Sequence, residues 1–154
     1  MRTKTSNWFV CKVNYERQRE NGLFAKVNEM YVLEAVSWAD AEETITKELQ
    51  SLLSGEFVIK DISVAPYSEI FFSDMAEQDK WYKVVVALII LDAKSGKEKR
   101  SNITYLVQAK DTEQAQQNVR MMYANSMYGY SIIRVIETKV MDVFECNTKN
   151  TDEQ

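Results

Sequence analysis

The chain repeats part of its own sequence at a fixed distance. The stretch NEMYVLEAVSWADA at 28–41 has a counterpart, NITYLVQAKDTEQA, 74 residues later at 102–115. Further pairs keep this offset or slip by one residue: Gly22 with Gly96, Gly55 with Gly129, and WFVCKV at 8–13 with WYKVVV at 81–86. A shared period of this length indicates internal duplication. The sequence therefore predicts two similar units, at 8–73 and 81–145.

Each unit is expected to contain two strands, a helix and two more strands. The predicted strands are 8–16, 23–36, 56–64 and 67–73, and then 81–92, 98–109, 130–138 and 140–145. Helices are predicted at 38–53 and 111–125, since capping patterns start at Ser37 and Asp111. Gly55 and Gly129 are expected to end them. Apolar residues at helical spacing predict one stripe that packs on a sheet, namely Ala41, Ile45, Leu49 and Leu52, and Ala115, Val119 and Tyr123.

From residue 56 onward, the predicted elements are four strands followed by one helix. This succession is the repeating unit of Whirly-type and Pur-type folds, which bind single-stranded nucleic acid. The predicted fold class is α+β, with tandem duplicated β-β-α-β-β units in a pseudo-twofold Whirly-like or Pur-like arrangement of antiparallel sheets with two helices. A ferredoxin-like arrangement is the main competing architecture. We expect a single compact domain at 1–146 and a flexible acidic C-terminal tail at 147–154.

The composition excludes several kinds of chemistry. The chain has no histidine, four glycines and no glycine-rich phosphate loop, so histidine-dependent catalysis, a histidine-containing metal site and nucleotide hydrolysis are not expected. We therefore expect no enzyme, no metal and no cofactor. The longest apolar run, VVVALIIL at 84–91, is too short to cross a membrane. With two widely spaced cysteines and no apolar segment at the start, the sequence suggests a cytoplasmic protein without membrane contact.

Basic residues surround the first hairpin of each unit, although the net charge is -4. Residues 142–154 carry three of these net negative charges, so the remaining body is close to neutral. Cations that follow a phosphate backbone, together with aromatic faces, are typical of single-strand binding. The candidate nucleic-acid-binding residues are Lys12, Tyr15, Arg17, Arg19 and Lys26 in the first unit, and Lys83, Lys94, Lys97, Lys99 and Arg100 in the second. The alternative interpretation is that these are ordinary solvent-exposed turn residues.

The pattern NWFVCKVNYE, MYVLEAVSWADAEE, FVIKDI and its second copy resembles a family of small proteins of unknown function from gut Bacteroides and their crAss-like phages. The resemblance extends from Trp8 to Phe144. It implies single-stranded DNA binding and supplies no catalytic residues.

The leading hypothesis is a non-enzymatic single-stranded DNA-binding protein of replication or recombination. Its acidic tail would compete for the groove or recruit replication proteins, and a homodimer is possible. The alternative is a protein-protein interaction adaptor without nucleic-acid binding. A third hypothesis is an enzyme that uses Lys, Tyr or carboxylate side chains.

Overall fold

The computed structural model describes residues 1–146; the predicted tail at 147–154 lies outside the described residues. This part of the chain forms an α+β fold that consists mostly of strands. In chain order the elements are β1 (Arg2–Lys4), β2 (Trp8–Gln18), β3 (Phe24–Glu34), α1 (Trp38–Leu52), β4 (Phe57–Val64), β5 (Glu69–Phe72), β6 (Lys80–Leu91), β7 (Glu98–Ala109), α2 (Thr112–Met122), β8 (Gly129–Glu137) and β9 (Val140–Phe144). Every predicted element is present, and β1 is an addition. Neither helix has the length and apolar character needed to cross a membrane.

The chain divides into two compact units. The four-stranded unit comprises Asn7–Ala65 and the chain from Lys139 onward, and its sheet has the order β4-β2-β3-β9. The five-stranded unit comprises Met1–Ser6 and Pro66–Thr138, and its sheet has the order β1-β5-β7-β6-β8. Within each unit, the long hairpin lies at the centre of the sheet and a helix covers one face.

The two sheets have the same internal register. Trp8 pairs with Glu34 in the four-stranded sheet, and Trp81 pairs with Gln108 in the five-stranded sheet. The first strand of each hairpin also pairs with an edge strand, β2 with β4 and β6 with β8. The register of the first pair shifts between Lys12 and Val13 and that of the second between Val85 and Val86, which are equivalent positions. Each sheet therefore has a bulge at the same place.

The strand pairing differs from the sequence prediction in two ways. Both sheets are mixed, because β9 runs parallel to β3 and β5 runs parallel to β7. In addition, β4 pairs with β2 in the four-stranded sheet, whereas counting from residue 56 had grouped it with β5, β6 and β7. Alternation along a strand defines its two faces and says nothing about which strand lies beside it. The sequence therefore could not distinguish these pairings.

The helix starts are confirmed and the helix ends are not as predicted. Ser37 Oγ accepts a hydrogen bond from Asp40 N at 3.1 Å, and Asp111 Oδ1 accepts one from Gln114 N at 2.7 Å. The helices end with C-caps at Leu53 and Tyr123, and neither cap has a positive φ. A glycine was therefore not needed at these ends. Leu52, expected on the buried stripe, is 58% exposed because it falls in the last turn of α1.

Each unit has its own core between the helix and one face of the sheet. In the four-stranded unit, Ala41, Ile45 and Leu49 of α1 pack on residues that include Cys11 and Leu33. In the five-stranded unit the corresponding cluster consists of Phe71, Tyr82, Val84, Val86, Tyr105, Val107, Ala109, Ala115, Val119 and Tyr123. These clusters identify the helix-covered face of each sheet. The opposite face, named here the distal face, carries the alternate residues of each strand.

Candidate nucleic-acid interface

The distal face of the five-stranded sheet is strongly basic. Residues paired directly across neighbouring strands lie on the same face, so the pairing of Lys83 with Leu106 and of Val85 with Arg134 places both cations on this face. The cations on this face are Arg2, Lys4, Lys83, Arg100 and Arg134. The only acid among the strand residues of the same face is Glu98, which lies at the start of β7. The face therefore has a clear excess of positive charge.

The basic side chains extend over much of this face. On β6, Lys83 and Ile89 are six residues apart, which corresponds to about 20 Å along a strand. Ile89 pairs with Arg100 of β7, so Lys83 and Arg100 are separated by a similar distance. Between them lies a row of short side chains, in which Ala87 pairs with Asn102 on one side and Ser131 on the other. Arg100 and Arg134 are exposed, whereas Lys83 is half-buried. The cations therefore border a row of small and polar side chains, of which Asn102 and Ser131 are exposed and Ala87 is fully buried.

The hairpin between β6 and β7 adds further positive charge. Lys94 and Lys97 are exposed in its turn, whereas Lys99, which pairs with Ile90 of β6, is exposed on the helix-covered face. Asp92 organises the turn, because its Oδ1 accepts a hydrogen bond from Lys94 N at 3.0 Å and its Oδ2 accepts one from Ser95 Oγ at 2.9 Å. The backbone N–H of Lys94, followed by the Ser95 hydroxyl, lowers the pKa of Asp92. The Asp92 carboxylate is thus used within the turn, while the lysines face solvent.

The distal face of the four-stranded sheet has a different charge pattern. Its two predicted cations each lie directly opposite an acid, since Lys12 pairs with Asp61 and Lys26 pairs with Glu16. Glu34 lies on the same face and adds a third acid. Opposite charges at directly paired positions attract each other and reduce the local field. The sequence predicted two equivalent basic hairpins, whereas the structure gives one basic face and one face on which charges are paired.

Tyr15 and Arg17 belong to a cluster on the helix-covered face of the four-stranded sheet. The hydroxyl groups of Tyr15 and Tyr31 donate to the two carboxylate oxygens of Glu29, each at 2.5 Å. Arg17 Nη2 lies 4.0 Å from Glu29 Oε1, and the Glu29 side chain is only 8% exposed. Burial, and then the hydrogen bond to Glu29, raises the pKa of both tyrosines. These contacts give Tyr15 a structural role.

The remaining predicted cation, Arg19, is exposed in the hairpin turn between β2 and β3. Its N–H donates to Leu23 O at 2.8 Å, and its own carbonyl accepts from Gly22 N at 2.9 Å. Gly22 has φ +83, a conformation that glycine adopts without strain, so the glycine shared by the two hairpins is required by the turn. Gly96 has φ +68 in the other hairpin.

Sequence reasoning missed the cations outside the two hairpins. Arg134, in the stretch IIRVI, becomes part of the basic face because β8 pairs with β6, and this pairing was not evident from the sequence. Arg2 was missed because β1 was not predicted; its guanidinium carbon lies 4.1 Å from the centroid of the Phe72 ring. The alternation of polar and apolar residues in β8 was the only signal that placed Arg134 on one face.

Exposed aromatic rings are absent from the basic face. Its aromatic residues among the described strands, Trp81 and Phe72, are 3% and 8% exposed. The most exposed aromatic rings of the described chain, Phe24, Tyr128 and Trp38, lie elsewhere. The basic face therefore offers charge and hydrogen bonds and does not offer stacking surfaces for bases.

The described part of the chain contains no candidate metal site, and one of its two cysteines is buried. Residues 1–146 contain no group of three or more acidic or cysteine side chains placed to hold a metal ion. Cys11 is fully buried, and its burial, with the charge of Asp61, raises the pKa of its thiol to about 12. A protonated thiol is a poor nucleophile.

The larger cavities described are two adjoining grooves in the four-stranded unit, of about 390 and 540 Å³. Both are lined by Tyr15, Glu16, Phe24, Gly55 and Glu56. Leu52 borders one groove and Val58 the other; these two residues and Phe24 are all more than half exposed. The grooves are therefore open, partly apolar depressions beside the β2–β3 hairpin.

Comparison with known proteins shows the family of this chain. A search of curated proteins and a search of solved structures found no match. Residues 7–146 match a family described as a domain of unknown function, DUF4494. Because this match covers most of the sequence, the chain belongs to the DUF4494 family.

Proposed function

We propose that the protein binds single-stranded DNA without catalysing a reaction, and that it acts in replication or recombination in the cytoplasm. The observation that carries this proposal is the basic distal face of the five-stranded sheet, with five cations and a single acid among its strand residues. Clustered cations on one face provide the local field that attracts a polyanion, even in a chain whose net charge is -4.

The chemistry of this face favours contacts with the DNA backbone. Arginine and lysine side chains bind phosphate oxygens, and such contacts carry no base information. Asn102, Thr104 and Ser131 add neutral hydrogen-bonding groups to the same face. Since the exposed part of this face lacks aromatic rings, we expect little preference for one base over another. Three to five phosphate contacts would give a slope of log affinity against log salt of about -2 to -3.5.

The proposal includes the duplicated Whirly-like or Pur-like arrangement of the two units. The matching hairpin registers and the bulges at equivalent positions support a common origin of the two sheets. The DNA-binding surface is assigned to the five-stranded unit. Residues 147–154, which contain Asp152 and Glu153, would weaken binding by repelling phosphate or would recruit replication proteins.

A charge-reversal experiment tests the proposal. Fluorescence anisotropy with labelled single-stranded and duplex DNA, across a salt series, compares the wild type with Arg100→Glu/Arg134→Glu. The control, Lys12→Glu/Lys26→Glu, makes the same change in net charge on the other sheet. We expect the first variant to lose affinity for every single strand by at least about tenfold and to show a smaller salt slope. The control should change affinity much less.

Two results would contradict this assignment. If the wild type shows no salt-sensitive affinity for any single strand, the protein does not bind DNA in the proposed way. If both double variants lose affinity equally, net charge governs binding and the basic face has no special role. Binding to duplex as strong as binding to single strands would also contradict the proposal.

The grooves of the four-stranded unit support a second candidate function, that of a protein-interaction adaptor. Their rims expose Phe24, Leu52 and Val58 beside one hairpin, and neighbouring exposed apolar side chains are typical of protein-binding surfaces. An adaptor would be insensitive to the Arg100→Glu/Arg134→Glu change and would lose its partner on Phe24→Ser. The absence of DNA binding together with that loss would favour the adaptor.

A further inference from the structure

The outer edge of β4 has a defined pattern of backbone groups. Strand β4 lies at one edge of the four-stranded sheet, with Lys60 as the extra residue of its bulge. Just after the strand, Ala65 N donates to Trp8 O at 2.8 Å, which identifies the backbone groups that face β2. In an antiparallel pair, alternate residues direct their N–H and C=O groups to opposite sides. Four residues therefore direct these groups away from β2: Phe57, Ile59, Ile62 and Val64.

This pattern is complementary to itself. When two copies of β4 are placed antiparallel, a twofold axis between Lys60 and Asp61 brings the outward groups of one strand opposite those of the other. Phe57 then pairs with Val64 of the second copy, and Ile59 pairs with Ile62. A bulge normally prevents such pairing at an edge. Here both strands carry the same bulge at the same distance from the axis, so the hydrogen-bonding positions coincide.

The side chains agree with this register. Phe57, Ile59, Ile62 and Val64 all lie on the helix-covered face, since their partners on β2 are Tyr15, Val13, Cys11 and Phe9. Val64 is 64% exposed, and Phe57 of the second copy would cover it. At the axis, Lys60 of each copy would face Asp61 of the other, and both side chains are exposed. The register therefore gives two reciprocal ion pairs and a continuous apolar strip.

The corresponding edge of the five-stranded sheet lacks this charge complementarity. Strand β8 has its bulge at the equivalent position, with Ile133 in place of Lys60 and Arg134 in place of Asp61. Pairing β4 with β8 of another copy in the same register would put Lys60 opposite Arg134. Pairing β8 with β8 would put Arg134 opposite Ile133. The like charges of Lys60 and Arg134 therefore disfavour the contact between β4 of one copy and β8 of another. That head-to-tail contact is the one that could be repeated from copy to copy into an open filament.

We propose that the protein forms a twofold homodimer through β4, in which the two four-stranded sheets join into one sheet of eight strands. The interface is small and is formed mainly by one strand from each copy. Association through a single pair of strands is usually reversible, so the dissociation constant of the dimer should be on the order of micromolar. This proposal does not depend on DNA binding, and its test contains no DNA.

Sedimentation velocity over a concentration series tests the dimer. We expect wild-type protein to shift from the chain mass of 17.9 kDa to twice that mass as concentration rises. Lys60→Asp and Asp61→Lys each place like charges across the axis and should weaken the dimer by at least about tenfold. An equimolar mixture of these two variants restores opposite charges and should again give dimers. The exchanged double variant, Lys60→Asp/Asp61→Lys, should also form dimers.

Rescue by mixing separates the proposal from simple misfolding, because a misfolded chain would not regain a dimer in the presence of another misfolded chain. The matched control is Ile133→Lys on β8, which should leave the mass unchanged. A wild type that remains monomeric at every concentration overturns the proposal. So does a dimer that tolerates both single reversals, or a mixture that stays monomeric.

Discussion

The buried carboxylate of Glu29 allows a structural role of Tyr15 to be separated from a role in DNA binding. Tyr15 was a sequence-based candidate for the nucleic-acid interface. In the structure its hydroxyl donates to Glu29, whose other oxygen accepts from Tyr31. The substitution Tyr15→Phe keeps the ring and removes only this donor. It should therefore lower stability and leave affinity for single-stranded DNA unchanged.

The magnitude follows from the environment of the carboxylate. A hydrogen bond to a charged group contributes about 1.5–3 kcal/mol when the partner is buried. Tyr15 is half-buried, so in Tyr15→Phe water can partly take the place of the lost hydroxyl as a donor to Glu29. We therefore expect Tyr15→Phe to reduce the free energy of unfolding by about 1–2 kcal/mol. Glu29→Ala removes both hydrogen bonds but also removes a carboxylate that is only 8% exposed. The net loss for Glu29→Ala should be about 2–3 kcal/mol, because relief of carboxylate burial offsets part of the cost.

Urea unfolding followed by circular dichroism measures these changes. The control is Tyr128→Phe, which removes a hydroxyl from a ring that is 57% exposed, and it should change stability by less than about 0.5 kcal/mol. Tyr15→Leu introduces the residue found at the equivalent position of the five-stranded unit, Leu88. A Tyr15→Phe variant as stable as the control would show that the hydrogen bond to Glu29 does not stabilise the fold. A folded Tyr15→Leu variant with weaker DNA binding would show that Tyr15 takes part in the interface.

Two further predictions concern buried groups. Asn118 is almost fully buried, and its Nδ2 donates to Gln78 Oε1 at 3.1 Å and to Gln108 O at 3.0 Å. Asn118→Ala leaves these acceptors unpaired and should therefore lower the free energy of unfolding by about 2–4 kcal/mol in the same urea assay. Burial raises the pKa of Cys11 to about 12, so the Cys11 thiol stays protonated up to pH 9 in the folded protein. A thiol reagent should therefore modify only the exposed Cys146 until denaturant is added.

The positions and types of the elements could be predicted from the sequence because each depends on a local pattern. The hydroxyl of Ser37 and the carboxylate of Asp111 cap the helices as expected. Apolar residues at helical spacing, such as Ile45 and Val119, are fully buried as expected. Such signals act within a few residues of the chain and do not require knowledge of the neighbouring strand.

The pairing of strands and the charge of the candidate interface could not be predicted in this way. Lys12 and Lys83 both look like free cations in the sequence. Only the sheet register shows that Lys12 lies opposite Asp61 while Lys83 lies opposite Ile136 and Leu106. A cation contributes to binding according to the charges beside it, and in a sheet those charges come from distant parts of the chain.

Two sheets of equal register can have different surfaces because the two faces of each sheet are under different constraints. Positions on the helix-covered face must remain apolar to pack against a helix, and both units fill them with residues such as Val13 and Val86. Positions on the exposed part of the distal face have no such requirement. There the four-stranded sheet places Asp61, and the five-stranded sheet places Arg134 at the equivalent position. This difference completes a reciprocal charge pair with Lys60 at the edge of one sheet and adds one cation to the basic face of the other. Exchanging the two residues, Asp61→Arg with Arg134→Asp, should therefore weaken self-association and DNA binding together without changing the net charge.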